Sequence, residues 1–147
     1  MEVGVRLTVG DTEYTIKEAT LAVWVANPEQ SKESKLIWNL EVEAEGWVGF
    51  YCEGLHHPNV QQWPQIVGRV VSWDDPINSD SGEMNGSWYR NAHHEILQAT
   101  IQFLEREGNR IKLRWEGICS TAPLGCEPRP EERLPFIIDC WCVVQES

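Results

Sequence analysis

Basic side chains are scarce in this chain. Twelve Lys and Arg stand against 23 Asp and Glu in 147 residues, a formal net charge of −11. Nucleic acids and anionic membranes select basic surfaces, so neither is an expected partner. Long apolar runs are missing as well. No stretch approaches the roughly 18 residues of a membrane-spanning helix. The opening MEVGVRLTV is not the apolar run of about 7–15 residues behind a basic start that marks a secretory signal. A soluble cytoplasmic protein is therefore expected. Catalytic signatures are absent too: there is no G-x-S-x-G, no glycine-rich phosphate loop and no H-E-x-x-H. No cofactor is expected.

What remains is a globular mixture, 41% apolar and 24% charged, of a length that suits one domain spanning residues 1–147. Its dominant signal is alternation with period two. Leu36, Trp38, Leu40, Val42 and Ala44 alternate with Lys35, Ile37, Asn39, Glu41 and Glu43, which reads as a half-buried strand with Ile37 as its misfit. Ile111, Leu113 and Trp115 alternate with Arg110, Lys112, Arg114 and Glu116 in the same way. Residues 134–144 are apolar on both phases except Asp139, which suits a central strand covered on both faces. Gly10-Asp11 separates two short β-like runs and predicts a first hairpin. Residues 96–105 read as a strand turning at Glu107-Gly108-Asn109 into the next. Long irregular connectors cover 53–64, 74–87 and 120–133, and a short helix fits within 28–35 or 58–64. Together these features predict an all-β single domain, an antiparallel β-sandwich or partly open barrel of about eight or nine strands. The acidic row Glu41, Glu43, Glu45 and the basic row Arg110, Lys112, Arg114 are expected on neighbouring or nearly neighbouring strands.

The five cysteines do not space like a zinc site. Cys119, Cys126, Cys140 and Cys142 give C-x₆-C and C-x-C rather than paired knuckles. If the strands around 109–119 and 134–144 form a hairpin, Cys119 faces residue 134 and lies about 20 Å from Cys140. Free thiols are expected in a reducing compartment, with a Cys119–Cys126 disulfide as the alternative. The histidines form two adjacent pairs, His56-His57 and His93-His94. With Cys52 they are the candidate ligands or catalytic groups of a metal-dependent or hydrolytic enzyme. Neighbouring side chains on an extended segment point to opposite faces, so each pair offers at most one ligand.

The acids of 74–83 have no local base and no calcium-binding register. Eight tryptophans are unusual for this length. Trp24, Trp38 and Trp115 fall on inward phases, and Trp47 and Trp141 are expected to pack. Trp63, Trp73 and Trp88 border the long loops, where tryptophan can anchor a loop or serve as a binding hot spot.

The run from Ile101 through Glu107-Gly108-Asn109-Arg110 to Leu113-Arg114-Trp115-Glu116-Gly117, followed by Leu134-Pro135-Phe136, resembles the end of a family of small bacterial β-rich proteins of unknown function. Proteins of that sort sometimes act as immunity factors beside toxins, so the resemblance implies an immunity-like role. It departs from the family where residues 119–130 read CSTAPLGCEPRP. Residues and resemblance together lead to a non-catalytic acidic binding protein docking a basic protein partner. Its expected site comprises Trp73, Asp74, Asp75, Asp80, Glu83 and Trp88, with Trp63 nearby. The enzyme above and a carbohydrate-binding β-sandwich with exposed tryptophans are the alternatives.

Overall fold

A computed structural model describes residues 5–25, 35–58, 60, 62–79 and 82–146, with backbone alone at 35 and 54–58. The chain is all-β. Among the described residues ten strands follow in order: β1 (Arg6–Val9), β2 (Thr12–Tyr14), β3 (Ile16–Val25), β4 (Lys35–Ala44), β5 (Val48–Pro58), β6 (Val70–Trp73), β7 (Ser87–Arg90), β8 (His93–Glu107), β9 (Arg110–Ser120) and β10 (Arg133–Glu146). Two short 3₁₀ turns, Trp63–Ile66 and Pro130–Glu132, are the helical segments among the described residues. No helix there is long and apolar enough to cross a membrane.

The architecture is neither a sandwich nor an open barrel. Strands β3, β4, β5, β7, β8, β9 and β10 pair in that order and β10 returns to β3, closing a seven-stranded barrel. Six of these pairings are antiparallel, and β10–β3 is parallel. A ring with an odd number of strands cannot alternate direction all the way round, so closure demands one parallel seam. The gain is the loss of free edges on the ring. The longest strands take extra partners. β10 pairs with β1 through residues 136–139 and with β3 through 143–146, while β6 joins β8 at 99–102.

The alternation places the core as expected. Leu36, Trp38, Leu40, Val42, Ala44, Ile111, Leu113 and Trp115 are all buried. Phe50 sits among Trp88, Trp115 and Phe136 at centroid distances of 5.5, 5.7 and 4.9 Å, and Trp38 meets Phe103 edge-on at 5.4 Å. Barrels of this size are filled by side chains rather than hollow. Close packing also explains Gly117. A Cβ there would run into the carbonyl of Gln98 on β8, so only glycine permits that approach. The residues carrying the family resemblance are thus turn and packing residues: Gly108-Asn109 between β8 and β9, Trp115, Gly117 and Phe136.

Several expectations change. Trp24 lies on the outer phase of β3 and is half-buried, because Leu21 and Val23 take the inner phase. The outer face of β10 is unevenly covered: Asp139 is buried, Val143 is exposed, and Trp141 lies under Arg110, whose guanidinium stands 5.3 Å from its ring centroid. The acidic and basic rows share the one sheet but are separated by β3 and β10. The basic row answers its own neighbours instead, since Arg110 lies opposite Glu107, Lys112 opposite Glu105 and Arg114 opposite Asp139.

Asp139 is the charged hub of the outer face. It accepts hydrogen bonds from Arg6 on β1 at 2.8 Å and from Arg114 on β9 at 2.8 and 3.1 Å. Burial pushes its carboxyl up, but the two guanidinium groups outweigh that and hold it below the ordinary aspartate value. A carboxylate depressed on folding stabilises the protein above its unfolded pKa, about 3.9, and that contribution is lost as pH falls through the folded value. Both arginines are more than a third exposed, so screening keeps the effect modest. Asp139→Asn should lower stability by about 1–2 kcal/mol at neutral pH. Denaturant curves should show that deficit shrinking below about pH 4; a deficit independent of pH would contradict this account.

Four of the five free thiols, Cys52, Cys119, Cys140 and Cys142, are buried, and Cys126 is exposed. Burial raises Cys52 strongly and Cys119 to about 12. Cys142 is raised first by its contact with Cys140, whose sulfur is 3.8 Å away, and then by burial. Cys52, Cys119 and Cys142 are therefore protonated and inert at neutral pH, and burial alone shields Cys140 from reagents. A thiol reagent should therefore titrate only Cys126 in the folded chain and all five cysteines after unfolding.

Candidate functional site

The expected site residues do not assemble as one surface. Trp88 is fully buried, stacked on Phe50, with its indole N–H donating to the carbonyl of Ser120 at 2.8 Å. Trp63 is also buried; it joins the core cluster from the 3₁₀ turn and lies under Arg106 at 5.1 Å. Both tryptophans anchor loops, so neither offers a face to a partner. Trp73 is half-buried and donates to the carbonyl of Ile96 at 3.4 Å. Asp74 is exposed and shares a groove with Trp73, Thr100 and Glu116. The carboxylate of Asp75 accepts from the backbone N–H of Ile77 at 2.9 Å, which fixes the start of the loop. Glu83 is exposed, and Asp80 lies outside the described residues.

The enzyme constellation also separates. Cys52 faces the barrel interior, whereas His93 is exposed on the outer face, edge-on to Tyr89 at 5.0 Å. His94 Nδ1 donates to the carbonyl of Ala122 at 2.8 Å, since a carbonyl can only accept. The side chains of His56 and His57 lie outside the described residues. Among the described residues no three His, Cys, Asp or Glu side chains gather as a metal site.

A different surface concentrates the chemistry. On the outer face of β4, β5, β7 and β8 the register aligns two rows. One runs Glu43, Gly49, Tyr89, His93, and the next runs Glu41, Tyr51, Ser87, Glu95. The Tyr51 ring leans over Gly49, where any side chain at 49 would collide with its hydroxyl. The phenol therefore lies between Glu43 and Tyr89. Burial, then the carboxylates of Glu43 and Glu41, then Tyr89 push its ionisation up, so it stays a neutral platform.

Trp47 stands at the end of this platform. The turn joining β4 to β5 carries two consecutive left-handed residues, Gly46 at φ 82° and Trp47 at φ 61°. Trp47 is 87% exposed. It lines a groove of about 540 Å³ with Tyr51, Tyr89, His93, Glu43 and Lys17. A second groove of about 560 Å³ shares Tyr51 and His93 and continues to Glu53, Glu83, Met84 and Leu124. The two form one trough, aromatic along its floor and acidic along its length. Glu43 faces Glu18 on the neighbouring strand, a like-charge pair that leaves its carboxylate uncompensated.

Sequence reasoning placed Trp47 in the core because it adjoins a strand. The signal against this was the phase of that strand: Val48, Phe50 and Cys52 point inward, so 47, 49 and 51 point outward. Comparison with protein-family models, curated proteins and solved structures finds no match for this chain.

Neither packing nor backbone preference explains a tryptophan at position 47. A bulky side chain in the left-handed region costs about 1–2 kcal/mol, and so exposed an indole recovers little by burial. Trp47→Gly should raise stability by about 0.5–1 kcal/mol after glycine's own entropy loss. An urea midpoint that falls in this variant would show that the indole is structural.

Proposed function

We propose that this protein is a small, cytoplasmic, acidic binding protein without catalytic activity that docks a basic protein partner through the Trp47–Tyr51–Tyr89 trough. The observation that carries this reading is the coincidence of the exposed Trp47 with a surplus of acids over bases. Glu43, Glu53 and Glu83 line the trough, Glu41 adjoins it, and Lys17 is the basic side chain among its lining residues. Carboxylates would steer a basic surface into encounter, while exposed aromatics would supply the contacts that persist. An immunity-like role fits this chemistry, because enzymes that act on nucleic acids are themselves basic. The expected acidic loop keeps a part through Glu83, which brings it to the edge of the trough.

The carbohydrate reading draws support from Trp47 and Tyr51 as stacking platforms. It leaves the net negative charge without a task, since a neutral sugar can donate hydroxyls to the carboxylates but is not steered by their charge. Association with polyarginine, followed by stopped flow at low and high salt, tests the docking reading. Replacing Glu41, Glu43, Glu53 and Glu83 by Gln together should slow association about tenfold at low salt and flatten its salt dependence. Replacing Asp74, Asp75 and Asp80 by Asn should have the smaller effect. Unchanged kinetics in the glutamine variant, with the fold intact by circular dichroism, would overturn the reading.

A further inference from the structure

Within that docking reading, on which this inference rests, we propose that the Trp47 end of the trough is a receptor for one arginine side chain of the partner. The occupant follows from the shape and charge of the groove. Its floor is a platform rather than a cage, because Tyr51 lies down over Gly49 and Tyr89 stands directly opposite Gly49 on the next strand. Trp47 offers a further aromatic face at the open end. Aromatic faces attract cations, and a planar guanidinium stacks on them while its edge remains free to hydrogen-bond.

The carboxylate for that edge is Glu43. It lines the groove, stands in the same row as Tyr89 with Gly49 between them, and faces Glu18 on β3. No ion pair to Glu43 forms among the described residues, although Lys17 lines the same groove. A carboxylate beside a flat aromatic floor meets the fork of a guanidinium bidentately. An ammonium, compact and strongly hydrated, gains less in so open a groove. Anions are disfavoured by Glu41 and Glu43 alike. The strained, exposed placement of Trp47 is then accounted for: the turn holds the indole out of the core and at the mouth of the groove.

The test uses blocked peptides carrying a single arginine, lysine or citrulline in an otherwise Gly/Ser sequence. Binding is followed by calorimetry and by the indole N–H resonance of Trp47, assigned through Trp47→Ala. The arginine peptide should bind about threefold to tenfold tighter than the lysine peptide, and the citrulline peptide should bind weakest. Trp47→Ala should weaken arginine binding by about threefold or more, and Trp47→Phe should restore part of it. Glu43→Gln should abolish the preference for arginine over citrulline. Trp47 is exposed, so these variants keep the core intact.

Equal binding of the three peptides would overturn the inference, as would arginine binding indifferent to Trp47→Ala. If polyarginine association still slows in the fourfold glutamine variant, only the arginine receptor falls and basic docking stands. If it does not, both fall. Saturable binding of a neutral glycan at Trp47 with no response to arginine would also overturn both.

Discussion

Closure of an odd-stranded ring is the constraint on which the rest of this structure depends. Seven strands can seal only if one pair runs parallel, and that pair joins the last strand, β10, to the first strand of the ring, β3. The seam occupies the C-terminal part of β10 and leaves its N-terminal part for β1 on the same edge. Asp139 consequently finds an arginine on each side, one from β1 and one from β9. The ion cluster follows from the topology rather than from proximity in the chain.

Closure also decides where function can reside. The interior is filled by Trp38, Phe50, Trp88, Phe103, Trp115 and Phe136, with four buried thiols among the packing groups. On the outer wall the charge is uneven. The basic row on β9 meets acids on β8 and β10, whereas the acidic row on β4 faces Glu18 and the tyrosines of the β5–β7 wall. The acid surplus is therefore spent on the fold in one region and remains available in another.

Much of the fold was legible from alternation. The inward sets of β4 and β9 are buried as their spacing demands, and the β9–β10 hairpin pairs Cys119 with Leu134, which keeps Cys119 far from Cys140. The Gly10-Asp11 hairpin and the β8–β9 turn stand where the turn residues place them. Strand neighbours were not legible. Complementary charge rows suggested that β4 and β9 are neighbours or nearly so in one sheet; they share the sheet with two strands between them, because surface ion pairs contribute too little to choose a strand order. For Trp63, Trp73 and Trp88 the nearness of a loop left anchoring and surface binding both open. Trp63 and Trp88 border loops and are buried, while Trp47 borders a strand and is exposed. Loop proximity says little about burial; the phase of the adjoining strand says more.

By itself the sequence determined the secondary structure class, the composition of the core and the surplus of acid, because period-two alternation and side-chain polarity act locally at every position. The tertiary structure alone decided that the sheet closes, where the acids gather on its outer wall, and that Trp47 and Tyr51 share one groove with Glu43. Those facts depend on pairings between residues distant in the chain, and pairing is selected by the shared burial of a whole barrel interior, a quantity that no single segment carries.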